Sequence, residues 1–277
     1  AMSRRNTLTR RFALLLLASA ALHANVTFAQ VDAERFKPAV THDGWVNAEG
    51  STTRHPDDAF ELGAFLNFSK HALVSVDGEG ELNQTFVDNR LGIDLLGSLS
   101  LTERFSIGLG LPAYVQSGDV DPSTGGLGDL RLVPKYEILS DRESIGLALA
   151  AELRAPTHTG DFSGGARNVQ VIPKVIVDHR FRSGWRAGGN VGAAIRETST
   201  FFNIVAGNEL VYAAALGYRF GGLDGDTEIG IEMNGALGLE QFDAEESPLE
   251  AFLFARHDLN PEWEIIGGPG VGLIEGY

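Results

Sequence analysis

The sequence contains no cysteine and has no excess of basic residues, since its formal net charge is −15. Without cysteine a chain has neither disulfides nor thiolate metal ligands, so its fold has to rest on backbone pairing and burial. Without a basic surface to neutralise phosphates, we do not expect nucleic acid as a partner. Long apolar runs are also scarce. The longest, at residues 12–22, falls short of the roughly 20 residues that a membrane-spanning helix requires.

The beginning of the chain has the order of residues typical of a Sec signal peptide. Four arginines between residues 4 and 11 precede the apolar run, and small residues lead up to Ala29. We therefore expect cleavage after Ala29 and assign residues 1–29 to the signal peptide. A retained membrane anchor is the alternative, which the shortness of the apolar run disfavours.

Beyond residue 57 the chain alternates apolar with polar or small residues, and this period of two predicts β-strands. Within residues 144–155, for example, Leu147 and Leu149 share one face while Glu152 and Arg154 share the other. Strands in soluble sheets usually have about five or six residues, but these are long enough for the roughly 9–11 residues that a tilted strand needs to cross a bilayer. We predict eleven strands, near residues 59–71, 85–101, 105–116, 127–139, 144–156, 168–180, 185–197, 208–220, 227–239, 248–259 and 263–273.

Short turns alternate with longer loops rich in Gly, Ser, Asp and Glu, which is the layout of an outer-membrane barrel. The sequence therefore predicts an all-β fold, an up-and-down antiparallel transmembrane β-barrel, at residues 58–277. An odd strand count leaves one sheet edge open, which is costly in lipid. We therefore expect about 12 strands in the parent protein, with about 11 in this chain and the last beyond Tyr277. A short strand at residues 44–49 is the alternative. Residues 30–57 are expected to lie in the periplasm or to thread the lumen.

Charged residues recur on the predicted inward face of the strands, and the two signs nearly balance. A lumen of low dielectric tolerates charges only when they are paired. The balance therefore predicts a charge network that fills the lumen, because one sign would dominate the constriction of a selective pore. The predicted lumen network consists of Arg90, Asp94, Asp129, Arg131, Lys135, Glu137, Glu152, Arg154, Lys174, Asp178, Arg186 and Glu232.

Aromatic residues lie within a few positions of the short turns, on the apolar face of their strands. Rings at that depth form the interfacial girdle of a membrane barrel. Ordinary core packing is the alternative, although it would also place rings in mid-strand. The predicted girdle consists of Phe105, Tyr136, Trp185, Tyr218, Phe220 and Trp263.

The predicted strand at residues 248–259 departs from this pattern. Glu250 and Arg256 share a face with Phe252 and Phe254. Either the strand contains a bulge or its aromatic side chains lie inside the barrel.

The sequence lacks the motifs of common enzyme classes. No H-E-x-x-H, G-x-S-x-G or phosphate-binding G-x-x-x-x-G-K-[ST] pattern occurs. His179 and His257 fall on the outward face with no serine at a matching position, as a hydrolase would need. Residues 224–226 resemble only a fragment of a calcium loop. We therefore expect no enzymatic activity, no cofactor and no metal site.

Three segments resemble known outer-membrane barrels. Residues 35–39 and 44–50 resemble the mature start of OmpA-like proteins from delta-proteobacteria, and residues 63–68 resemble the first barrel strand there. Residues 125–136 contain the pattern G-x-G-D-L-R-x-x-x-K-Y, which is similar to barrels named for the meta-pathway of phenol degradation. The resemblance implies the outer membrane of a Gram-negative bacterium. It implies peptidoglycan binding only through a domain not in this chain, and it brings no catalytic residues.

Three functions are compatible with this reading. The first is a structural or anchoring role in the cell envelope, with outer-membrane lipid and lipopolysaccharide as surroundings. The second is a passive channel for small solutes, and the third is a barrel subunit of an envelope complex with other envelope proteins. The acidic loops would gather the divalent cations that bridge lipopolysaccharide, but a solvated surface is the favoured explanation of their charge.

Overall fold

The computed structural model describes residues 32–76, 82–119, 122–141, 145–160, 163–201, 204–239 and 247–274, so the predicted signal peptide lies outside the described residues. In this part of the chain the regular elements are strands and two short 3-10 turns, Pro56–Asp58 and Gly222–Asp224. No helix there has the length and apolar character needed to cross a membrane. The strands are β1 Phe60–Val76, β2 Leu82–Ser100, β3 Phe105–Ser117, β4 Thr124–Leu127, β5 Leu130–Leu139, β6 Gly146–Ala155, β7 Gln170–Arg180, β8 Trp185–Ala194, β9 Ser199–Phe201, β10 Ile204–Ala206, β11 Glu209–Phe220, β12 Thr227–Gly238, β13 Leu249–Asn260, β14 Trp263–Gly267 and β15 Gly270–Gly272.

The strands form one curled antiparallel sheet in the order β1-β2-β3-β5-β6-β7-β8-β11-β12-β13-β14. Strand β4 continues β5 along β3, and β15 continues β14 along β13, while β9 and β10 form a small separate hairpin. The eleven predicted strands and their up-and-down antiparallel order are confirmed. Among the described residues β1 pairs only with β2 and β14 only with β13, so β1 and β14 form the two edges of a half-closed barrel.

The two faces of the sheet have the opposite polarity to those of a soluble protein. Large apolar side chains point outward, among them Leu62, exposed by 71%, and Ile231, exposed by 53%. Charged side chains point inward, where Lys135 and Glu232 are fully buried. This inversion is typical of membrane barrels, in which apolar-out and polar-in residues alternate along each strand.

Short turns close one end of the sheet, which we call the short-turn rim, and the longer connections close the long-loop rim. At the short-turn rim, Thr102 Oγ1 accepts the N–H of Phe105 at 3.0 Å, and Asn260 Oδ1 accepts that of Trp263 at 3.1 Å. Gly184 has a φ of +92° in the β7–β8 turn, a conformation that glycine adopts at little cost. These local bonds fix the register of each hairpin.

The first hairpin is longer than predicted, because β1 and β2 contain 17 and 19 residues. Apolar alternation fades beyond Lys70, whereas strand pairing continues through register shifts around Leu73. His71 lies at one of these shifts with a φ of +55°. Alternation therefore does not mark the extension, because the consecutive apolar residues Ala72, Leu73 and Val74 interrupt the period of two.

The aromatic residues of β13 lie inside the barrel. The register between β12 and β13 runs without interruption from Thr227 to Gly235, so the strand does not bulge there. Phe254 is buried against Trp45, and the half-buried Phe252 packs against Phe36. Part of the hydrophobic core therefore lies in the lumen, between the wall and the segment that precedes β1.

Candidate functional site in the lumen

Residues 32–58, which we call the lumen segment, run through the interior from one rim to the other. Ala33 donates its N–H to the carbonyl of Ser163 at 3.3 Å, and it packs near the long-loop rim. Thr53 donates its N–H to Glu137 near the short-turn rim, where β1 begins. The segment therefore crosses the lumen from the long-loop rim to the short-turn rim. We call the part of the lumen near the short turns the inner half and the part near the long loops the outer half.

In the inner half the segment folds back on itself. The N–H of Ala39 donates to the carbonyl of Val46 at 3.0 Å, and that of Trp45 to Ala48 at 2.7 Å. The buried carboxylate of Glu49 accepts the N–H groups of Val40 and Thr41 at 3.1 and 2.9 Å. The segment's own acid thus satisfies main-chain donors that have no strand partner.

Cationic wall side chains donate to the carbonyl groups of this loop. Lys135 Nζ donates to Gly50 and Thr52, both at 2.7 Å, and to His42 at 3.3 Å. Carbonyls of the segment are bonded in the same way by Arg131, Arg186 and Arg256. Bonds with one charged partner are stronger than neutral ones, so these cations hold the loop against the wall.

Acidic wall side chains accept the N–H groups of the same loop. The carboxylate of Glu232 accepts those of Val46, Asn47 and Ala48 at 2.7, 2.8 and 3.0 Å. Asp178 accepts the N–H of Ser51 at 3.3 Å. A carboxylate with three main-chain donors is well satisfied even without a cation, which explains how Glu232 can be fully buried.

Trp45 anchors the loop in the wall. Its side chain is exposed by only 3%, with the guanidinium of Arg186 4.1 Å from the ring centroid and the Phe254 ring edge-on at 5.9 Å. Inward-facing glycines make the room: a Cβ at Gly188 or Gly217 would lie 3.2 Å from the indole. The cation over the ring and the burial of a large aromatic both favour this position.

The outer half contains a cavity of about 130 Å³. On its wall Glu152 binds three cations, with Arg131 at 2.9 Å, Arg154 at 2.7 Å and Lys174 at 2.6 Å. Across the cavity Glu209 binds Arg35 of the segment at 3.3 Å and the wall's Arg196 at 2.5 Å. Charged side chains here bond mainly one another.

Asp32 lies at the entrance of the segment, paired with Lys37 at 3.0 Å. Burial by itself would raise the pKa of Asp32, but the positive charges of Lys37, Arg154 and Arg90 outweigh it and hold the pKa below its usual range. Asp32 is therefore stabilised as a carboxylate in its ion pair with Lys37.

The remaining residues of the predicted network also face inward, with other partners. Arg90 binds Glu34 of the segment at 3.3 Å, and Asp94 accepts a bond from the wall's Asn67 at 3.2 Å. Asp129 accepts main-chain N–H groups of the long loop after β6 and contacts the His158 ring at 2.9 Å. The network is thus only partly wall to wall, since eight of its twelve members bond the lumen segment or a loop.

Sequence reasoning missed the segment's own side chains, among them Asp32, Glu34, Arg35 and Glu49. The signal that was present was compositional. Residues 38–53 are rich in Gly, Ala, Ser and Thr, and small side chains allow the wall to approach the main chain.

Asp43, Asp141 and Asp178 come together near the short-turn rim with their carboxylate oxygens within 4.8 Å. Arg180 binds both Asp43 and Asp141, and Arg186 lies 3.5 Å from Asp178. The guanidinium groups occupy the positions that a cation would need, so these carboxylates form a buried ion network.

The six aromatic residues of the predicted girdle cluster at the short-turn rim on the outward face. Phe105 is directly opposite Tyr136, and Trp185 opposite Tyr218 with ring centroids 5.2 Å apart. Phe220 packs against Tyr218 at 5.3 Å, and Trp263 is exposed in the last turn. Four of the six rings therefore form cross-strand pairs near the short-turn rim.

The family described as "Putative MetA-pathway of phenol degradation" matches residues 73–239. The match covers more than half of the 277 residues. The chain belongs to this family. The matched part extends from within β1 to just beyond β12, and it bears out the resemblance seen at residues 125–136. No curated protein matches the chain.

The family match includes most of the wall but not the lumen segment. Lys135, Asp178, Arg186 and Glu232 all lie within it, whereas residues 32–58 precede it. The family description assigns no role to any of these residues.

Proposed function

We propose that this chain is an outer-membrane β-barrel protein with a structural, anchoring role, and that its own N-terminal segment closes its lumen. One observation carries the proposal: buried hydrogen bonds hold residues 38–53 in the inner half of the lumen, with Lys135 and Glu232 at their centre. A wall whose inward charged side chains bond a segment of the same chain fits a filled barrel better than a wide pore.

The outward face supports a position in the outer membrane. Its exposed leucines, isoleucines and valines fit lipid tails, and the paired rings at the short-turn rim fit the interface. Lipid and lipopolysaccharide are therefore the proposed surroundings. The resemblance of residues 35–50 to OmpA-like proteins suggests an anchoring role without catalysis, in which any attachment to peptidoglycan belongs to a separate domain.

Planar-bilayer recording of the purified full chain tests this function. We expect no stable conductance steps from the wild type. A Trp45→Ala/Glu232→Ala variant loosens the lumen segment and should show frequent openings, whereas Trp263→Ala, which changes an outward ring, should stay silent. Stable steps from the wild type would contradict the closed lumen.

A passive channel for small solutes is the second candidate, and the cavity of about 130 Å³ in the outer half favours it. Liposome swelling separates the two functions. Uptake of small sugars by liposomes containing the wild type, at rates above those of empty liposomes, would support the channel.

A further inference from the structure

The wall contacts the main chain of the lumen segment almost residue by residue. From His42 to Thr53, every residue except Trp45 has a main-chain N–H or C=O bonded to a wall side chain. Main-chain groups are the same in all residues, so a site that binds them accepts many sequences. Strand-addition sites bind extended peptides on the same principle.

One wall residue shows the type of recognition most clearly. Asn190 accepts the N–H of Glu49 through Oδ1 at 2.7 Å and donates to the carbonyl of the same residue through Nδ2 at 2.9 Å. A side-chain amide here pairs with both main-chain groups of one residue, as a neighbouring strand would. The wall thus replaces a strand with amide, carboxylate and ammonium groups.

A few side chains add selectivity to this main-chain recognition. Trp45 fills the space beside Gly188 and Gly217, and Ala48 is fully buried. A Cβ at position 44 would lie 2.4 Å from that of Ala39, and a Cβ at position 50 would lie 2.2 Å from the carbonyl oxygen of Asp43, so both positions require glycine. The wall therefore selects the tryptophan and the alanine, while the two glycines allow the segment to fold back on itself. Together they give the pattern Gly-Trp-x-x-Ala-x-Gly at residues 44–50.

We propose that the inner half of the lumen is a binding site for a polypeptide loop with the pattern Gly-Trp-x-x-Ala-x-Gly, and that residues 32–55 are its exchangeable occupant. The site consists of polar wall side chains that face the lumen, so it does not depend on the anchoring role. Its test measures peptide exchange rather than conductance, so either proposal can fail while the other holds.

The test uses the full chain with a specific protease site inserted at residues 55–57, where the Asp57 side chain is 95% exposed. After cleavage of the folded protein in detergent, a fluorescent synthetic peptide of residues 32–55 is added and its anisotropy is followed. We expect saturable exchange that unlabelled peptide reverses. A Trp45→Ala peptide should bind about tenfold more weakly or worse, because buried tryptophans dominate such interfaces.

Two further changes separate main-chain recognition from simple apolar packing. N-methylation of the peptide at Val46, Asn47 and Ala48 removes the donors to Glu232 and should weaken binding about tenfold or more. Glu232→Ala in the cleaved protein should weaken it similarly, while Glu103→Ala, in an exposed turn, should leave it unchanged. Three results would each overturn the proposal: loss of the barrel fold on cleavage, absence of saturable exchange, or binding unaffected by both the N-methylation and Glu232→Ala.

Discussion

Around residues 44–50 charged wall side chains bond mainly neutral main-chain groups, whereas around the cavity of the outer half they bond mainly one another. Glu232 has three N–H donors from the segment and is fully buried. Glu152 has three cations, Arg131, Arg154 and Lys174, and all three line a cavity. Bonds between a charged side chain and main-chain groups fix a chain at defined positions, while ion pairs with a partly exposed member are partly screened by salt. The difference predicts a rigid inner half and an adaptable outer half.

Trp45→Ala should give the largest loss of stability. It removes a fully packed ring from the inner half, and such truncations cost about 3–5 kcal/mol. Urea unfolding in detergent micelles, followed by electrophoretic mobility, measures the effect. Trp263→Ala is the matched control, since that ring is exposed at the rim, and an equal loss in both variants would break the comparison.

Glu152→Ala should rank next. Its removal leaves three cations without their shared carboxylate. Breaking a buried ion pair costs about 3 kcal/mol or more, and we expect less here because Arg154 and Lys174 are partly exposed. The same unfolding assay at low and high salt sharpens the contrast. The loss should shrink at high salt for Glu152→Ala and stay constant for Trp45→Ala.

Glu232→Gln should destabilise the protein by roughly 1–3 kcal/mol. The amide keeps one acceptor oxygen but leaves at least one buried N–H of the loop without a partner. Hydrogen exchange should then increase at Val46, Asn47 and Ala48 before it increases at the strands. Unchanged protection at these three amides would show that Glu232 does not hold the loop.

Asp32→Asn should have the smallest effect, visible only in the pH dependence. Because the pKa of Asp32 is lowered in the folded protein, its contribution to stability is present above the unfolded value near 3.8 and is lost as the pH falls through the folded pKa. The unfolding midpoint of the variant should therefore vary less with pH below about pH 4. Identical pH profiles for wild type and variant would argue against the Lys37 pairing.

The number and order of the strands, and the side of the sheet to which their residues point, could be predicted from the sequence because each depends on a local pattern with a period of two. The alternation of Leu147 and Leu149 with inward residues placed β6 correctly, and the short turns fixed the rims. The distal end of the β1–β2 hairpin was missed because the register shifts around Leu73 interrupt the alternation there. The interruption between β4 and β5, and the β9–β10 hairpin, carry no periodic signal at all.

The partners of the lumen charges could not be read in the same way. Alternation shows that Lys135 and Glu232 face inward, but not that their partners are carbonyl and N–H groups of residues 42–52. Main-chain N–H and C=O groups are common to nearly all residues, so the sequence of the segment does not show which of them bond the wall. The glycines at positions 44 and 50 indicate only that the segment folds tightly on itself, since a Cβ there would meet Ala39 or Asp43.

The lumen segment also connects separate strands of the curled sheet through its interior. Its bonds reach β5 through Lys135, β7 through Asp178, β8 through Asn190 and β12 through Glu232. Phe36 lies against Phe65 of β1 and Phe252 of β13, with ring centroids 5.1 and 5.6 Å apart. The segment thus contacts strands near both edges and in the middle of the sheet. The wall therefore keeps its curvature even though β1 and β14 do not pair with each other among the described residues.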